Sequence, residues 1–138
     1  MSSVVARFGP PAARIFLGLI FFVFGLNGFL HFLPNPPLPD AAGAFMGALA
    51  KTGYMFPLIK GTEVLGGLLL LSGRLVPLGL LLLAPVIVNI VAFHFVLAPP
   101  NPVTFLVLAL PLYLAWVYRN NFKGVLEVNA KPTAADSK

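Results

Sequence analysis

The sequence predicts an all-α integral membrane protein: a four-helix bundle with both termini cytoplasmic and a short amphipathic helix in the outer connection between spans one and two. Three observations carry that expectation. Apolar residues make up 59% of the 138-residue chain and charged residues 9%, where a soluble domain carries about 25% charged residues. The apolar residues fall in four runs of spanning length, separated by proline, glycine or charge. The basic residues crowd into alternate gaps between those runs. So thin a polar supply cannot cover a water-exposed surface, which excludes a soluble enzyme, a disordered chain and a coiled coil.

Spans are expected at about residues 13–33, 55–72, 75–97 and 102–118, each close to the ~20 residues that cross ~30 Å of hydrocarbon. The first ends at Pro34-Asn35-Pro36-Pro37, because proline lacks the N–H and clashes with the preceding turn. It is longer than the apolar core of a signal peptide and is read as a span. Gly73-Arg74 is a short turn, so spans two and three form a tight hairpin. Pro85 and Pro111 lie inside spans three and four, where a kink is expected. Between Pro34 and Tyr54, Asp40 is read as an N-cap. A surface helix follows over Ala41–Ala50, with Phe45, Met46 and Leu49 on one side and a stop at Gly53. A plain re-entry loop is the alternative. Residues 1–122 make one membrane domain, and 123–138 are expected to be a disordered cytoplasmic tail.

Arg7, Arg14, Arg74, Arg119, Lys123, Lys131 and Lys138 all fall on one side of this arrangement. The other side has Asp40 and Lys51, with Lys60 just inside span two. The positive-inside rule then puts both termini in the cytoplasm. The net charge of +5 is read as orientation, with the lipid bilayer as the partner. No basic stripe interleaves with aromatics, so no nucleic-acid partner is expected. Cysteine is absent, which excludes disulfides, thiol relays and thiolate-held clusters within this chain.

Ionisable groups inside spans are costly and mark candidate sites. Asn27 and His31, four apart, are placed on one face of span one; Lys60 and Glu63, three apart, share a face of span two; Asn89 and His94 lie on span three. Span four carries Thr104 and Tyr113 as midspan polar groups. The three pairs sit at overlapping depths in the outer half of the bundle. They are the candidate ligand-binding cluster, with Phe24 and Phe93 as apolar pocket walls. Glu63 leads, since a carboxylate there needs a partner, and Lys60 is the nearest; an intrahelical ion pair at a helix interface is the plainer reading. Asn27 and Asn89 also fit as hydrogen-bonding glue between helices. Asn89 and His94 differ by about 140° around their helix, so both cannot aim squarely at the bundle axis. Bis-histidine haem ligation needs two histidines at similar depth on different helices, which His31 and His94 offer with the small Gly28 available beside the ring, but it ranks behind the other readings. A metal site of His31, Glu63 and His94 has suitable ligand types, but no HxxxH or HExxH spacing supports it, and no metal is assigned. Gly18, Gly25 and Gly28 on span one and Gly61, Gly66 and Gly67 on span two are read as helix-packing positions.

These residues resemble the DoxX family of small four-helix membrane proteins. The resemblance runs over about residues 12–120. It rests on Arg14-Ile-Phe-Leu-Gly18 with Gly25-Leu-Asn27-Gly28, on Phe45-Met-x-x-Leu49-x-x-x-Gly53, and most closely on Glu63-x-x-Gly66-Gly67-x-x-Leu-Leu71-x-Gly73. Asn27 stands where members often carry a lysine, for which Lys60 is a substitute. The resemblance implies a bacterial or archaeal cytoplasmic (inner) membrane. One branch contains a membrane subunit of a thiosulfate:quinone oxidoreductase, another is linked to oxidoreductase complexes of oxidative stress, and distant relatives include a receptor-assembly chaperone. Three functions stay open. The first is a redox-associated subunit that binds a quinone or similar lipophile, with membrane oxidoreductase partner subunits. The second is a non-catalytic assembly or partner-binding factor. The third is a small-solute carrier, which would require a homo-oligomer. The cofactor is open, with quinone ahead of haem.

Overall fold

The computed structural model describes residues 2–133. It consists of α1 (Ser3–Leu30), α2 (Asp40–Lys51), α3 (Met55–Ser72), α4 (Val76–Val96), α5 (Pro102–Val117) and a 3-10 turn at Arg119–Phe122; no strand occurs among the described residues. Helices α1, α3 and α4 are long and apolar enough to cross a membrane, and α5 is a shorter apolar helix. At 1.5 Å per residue α1 is about 42 Å long and α5 about 24 Å.

Four helices form a ring. Helix α1 packs on α3 and α5, and α4 packs on the same two; α2 lies more lightly against α3. The core inside the ring holds Leu17, Phe21, Leu70, Leu83, Val107 and Leu114. Outward faces are as apolar as the core: Phe16, Leu19, Leu65, Leu81, Val88 and Leu112 are all exposed. A helix that is hydrophobic all round belongs in lipid.

The α1–α3 seam is the closest in the molecule. A Cβ placed on Gly67 would lie 2.6 Å from the backbone nitrogen of Phe22 and 2.9 Å from the carbonyl oxygen of Gly18; one on Gly25 would meet the backbone nitrogen of Val64 at 2.9 Å. Glycine therefore lets the two backbones touch, as small residues do between membrane helices. At Gly28 and Gly66 the space is taken by side chains, Lys60 and Leu83 respectively. Gly61 differs from its reading as a packing position: a Cβ there meets nothing within 4 Å. Facing positions descend on α3 as they ascend on α1, so the pair is antiparallel.

Several boundaries correct the sequence reading. Helix α1 begins ten residues early and carries Pro10 and Pro11 within it; membrane helices tolerate proline where other groups satisfy the freed carbonyls. It also ends at Leu30 rather than Leu33. His31 turns left-handed (φ 53°), and the Asn27 side-chain oxygen accepts the Leu33 N–H at 2.7 Å. The side chain thus ends the helix before the prolines do. Asp40 is the first residue of α2 and makes no cap bond, although its charge still suits the helix N-terminus. Thr104 is not midspan: it forms a capping box with Asn101 in the first turn of α5. The hairpin between α3 and α4 turns on Gly73 and Leu75, both left-handed. Its free carbonyls have an unanticipated partner, because the Arg14 guanidinium donates from α1 to Leu70 O and, at 3.1 Å, to Leu71 O. Of the expected tail, residues 123–133 are largely turns after the 3-10 segment, and 134–138 lie outside the described residues.

The seam generates a paired prediction. Gly67→Ala must push backbone apart, and overpacking of this kind costs about 1–3 kcal/mol. Gly47→Ala in α2 meets nothing within 4 Å and gains about 0.5–1 kcal/mol from helix propensity. Reversible detergent-denaturation curves of the two variants should move in opposite directions from the parent.

Candidate functional site

A cavity of about 300 Å³ lies at the end of the bundle covered by α2. Phe21 and Phe24 from α1, Phe45 from α2, Phe56 from α3 and Phe93 from α4 line it. Phe45 and Phe93 close one side, their ring centroids 5.9 Å apart. Helix α2 reaches the cavity with Phe45, Met46 and Leu49, the apolar side expected of an amphipathic segment.

Polar groups interrupt this aromatic wall. Lys60 and Glu63 sit one turn apart on α3, with Lys60 Nζ 3.2 Å from Glu63 Oε2 and 3.4 Å from Oε1. The glutamate side chain is 4% exposed and the lysine 23%. The carboxylate is thus the more deeply buried of the two, and both residues line the cavity. Gly28 of α1 leaves room for the lysine stem, since a Cβ there would collide with Lys60 Cγ. On α4, His94 Nδ1 is 2.9 Å from Ile90 O. A carbonyl can only accept, so a neutral ring carries its proton on Nδ1 and leaves Nε2 as an acceptor. Asn89, one and a half turns earlier, also lines the cavity but is exposed on its open side. From α5 come Asn101 and Thr104, which the capping box already engages.

The arrangement brings together four of the six expected polar residues: Lys60, Glu63, Asn89 and His94 all line the cavity, as do Phe24 and Phe93. It does not bring in Asn27 or His31. Asn27 is spent on the chain turn after α1, and His31, having left the helix, is exposed. Their four-residue spacing therefore places them on no common helix face. His31 and His94 do not share the cavity, so the bis-histidine haem arrangement is not assembled. No group of three His, Cys, Asp or Glu side chains converges among the described residues, which also separates the metal set of His31, Glu63 and His94. Sequence reasoning missed Phe21, Phe56 and Asn101; the Asn101-Pro-Val-Thr104 spacing carries a readable capping signal, whereas nothing in a phenylalanine-rich run distinguishes a wall from a core.

An all-helical chain with three helices of spanning character and a polar pair in a lipophilic cavity is a membrane helical protein. The DoxX family profile matches residues 9–98, from α1 to just past the end of α4, and the chain belongs to the DoxX family. It is 32% identical over 124 residues to the uncharacterized protein YwoB of Bacillus subtilis (strain 168), a match covering 84% of this chain and 80% of that one. No solved structure matches it.

The ion pair yields a double-mutant prediction. Lys60→Met leaves Glu63 without its one ionic partner among the described residues and should cost about 3–5 kcal/mol. Adding Glu63→Gln should recover most of that loss, because no uncompensated charge remains. Denaturation midpoints of the parent, both single variants and the double variant would measure the coupling.

Proposed function

We propose that this chain is a four-span protein of a bacterial or archaeal cytoplasmic membrane, both termini cytoplasmic, that binds a quinone or similar lipophile as a small redox-associated subunit. The observation that carries the reading is the Lys60–Glu63 pair set in the wall of a phenylalanine-lined cavity. A quinone ring offers two carbonyl oxygens, and its reduced form two hydroxyls. The Lys60 ammonium would donate to a carbonyl oxygen, and the free His94 Nε2 would accept from a hydroxyl. The aromatic wall would stack on the ring, and the opening between helices would pass an apolar tail into lipid. Glu63 holds Lys60 in place from behind.

Orientation follows from charge. Arg7, Arg14, Arg74, Arg119 and Lys123 stand at the end away from α2, which the positive-inside rule assigns to the cytoplasm. The cavity then opens in the outer half. Helix α5, short by itself, would complete its crossing with Tyr118 and the 3-10 turn. With no cysteine in the chain, a thiol relay or thiolate-held cluster delivering electrons to the quinone would belong to a partner oxidoreductase subunit.

Equilibrium binding of decylubiquinone to nanodisc-reconstituted protein tests this. Glu63→Gln, which releases the Lys60 ammonium from its position, and His94→Ala, which removes the acceptor, should each weaken binding by about tenfold, the value of one well-placed hydrogen bond, and Gly47→Ala should leave it unchanged. Equal affinity in all four proteins, or no saturable binding, would remove quinone from this cavity.

A further inference from the structure

A second, larger cavity of about 760 Å³ opens between α4 and α5. Small residues make it: Ala84 and Ala92 on one helix, Ala115 and Pro111 on the other. Apart from Arg119 and Phe122 its other walls are aliphatic, and Leu81 and Leu112 are both exposed. From Leu80 to Ala92 the groove runs about 18 Å along α4 at the helical rise, slightly more than one leaflet of a ~30 Å hydrocarbon layer.

The groove has one charged residue, at one end. Arg119 follows α5 and lines the cavity beside Phe122, Val125 and Leu126. Its guanidinium lies 4.6 Å from the Trp116 ring centroid, and Nη1 donates to Trp116 O at 2.7 Å. That fixes the side chain and leaves its other N–H donors open. Trp116 and Arg119 are the pair of residue types that sits at headgroup depth. The chain termini of the ring bring further cations to this end: Arg7 and Arg14 from the start of α1, Arg74 from the hairpin, and Lys123. Glu127 is the sole acidic residue there among the described residues. Beyond Arg119, Val125 and Leu126 are 64% and 74% exposed, which suits burial at the membrane interface rather than in water.

We propose that the α4–α5 groove is a site for an anionic phospholipid, one acyl chain lying between the helices and the headgroup phosphate on Arg119. The chain enters at the Arg119 end, so the lipid belongs to the leaflet on that side. The fit is of length and charge together: an apolar trough one leaflet deep, with a fixed cation where a phosphate would be. A second copy of this chain fits worse, because a two-fold pairing on this face would bring the partner's equivalent basic cluster to the same level. The site is independent of the α2-side cavity and shares no lining residue with it.

Native mass spectrometry of the protein in nanodiscs holding equal phosphatidylglycerol and phosphatidylcholine of identical chains tests the site. Phosphatidylglycerol should stay bound in preference by about fivefold, the worth of one cation near an anionic headgroup. Arg119→Gln, at an exposed position, should bring the two lipids to parity with unchanged melting. Ala84→Phe should lower retention of both. No headgroup preference in the parent, or a preference untouched by Arg119→Gln, would overturn the proposal. The chain has no cysteine, so Leu112→Cys supplies a unique thiol. Efficient disulfide dimerisation of that variant in dilute vesicles would assign the groove to a second copy instead, and its absence keeps the lipid.

Discussion

Helices α1 and α3 approach so closely that glycine is needed where their backbones meet, and the placing of the other elements follows from that seam. At its middle, Gly67 of α3 faces Gly18 and Phe22 of α1 with no side chain between them. At one end, Arg14 reaches across to the carbonyls that close α3. At the other, Gly28 opens room for the Lys60 stem. With α3 held against α1, the adjoining face, about 100° round the helix, presents Gly66 to Leu83 and so seats α4. The α2-side cavity lies toward the Gly28–Lys60 end of this seam, lined from α1 through α5. Dispersion over so intimate a contact is the available cohesion, since lipid removes the hydrophobic drive between helices.

Lipid also forbids idle polar groups, and that second constraint explains where the polar side chains went. An unpaired carbonyl or amide in hydrocarbon costs several kcal/mol. Arg14 serves the end of α3, Asn27 serves the chain after α1, and Thr104 with Asn101 serves the start of α5. Each of these polar side chains closes a helix terminus. No buried side-chain nitrogen or oxygen among the described residues lacks a partner.

The apolar runs and the surface helix could be read from the sequence because they rest on composition and period, which are local. The ends of α1 could not. The apolar run marks its start near residue 13, yet the helix begins at Ser3 and takes Pro10 and Pro11 inside it. The other end was set by a side chain, Asn27, bonding six residues ahead, a choice that spacing alone does not reveal. The same choice took Asn27 and His31 out of the cavity. Depth along a helix predicted which polar groups lie near one another, but which partner each would take depended on backbone groups freed elsewhere. Arg14 shows this well: by position it is one orienting charge among seven, and only the fold reveals that it bridges two helices.

The Lys60–Glu63 pair stands apart from these terminal bonds, because no helix end requires it. A buried ion pair is a poor device for stability, as apolar residues of like volume hold a core at least as well. Its usual defence is specificity, fixing a register that a smooth apolar seam would leave loose. Here that task is already done. Gly18, Gly25 and Gly67 permit close backbone contact in one register, and Arg14 bonds two carbonyls in that same register. A pair that neither caps a helix nor chooses a register costs desolvation for no structural return. Among phenylalanines, in a cavity that His94 also lines, the return is chemical under the proposed reading, in which the pair serves a ligand with hydrogen-bonding oxygens.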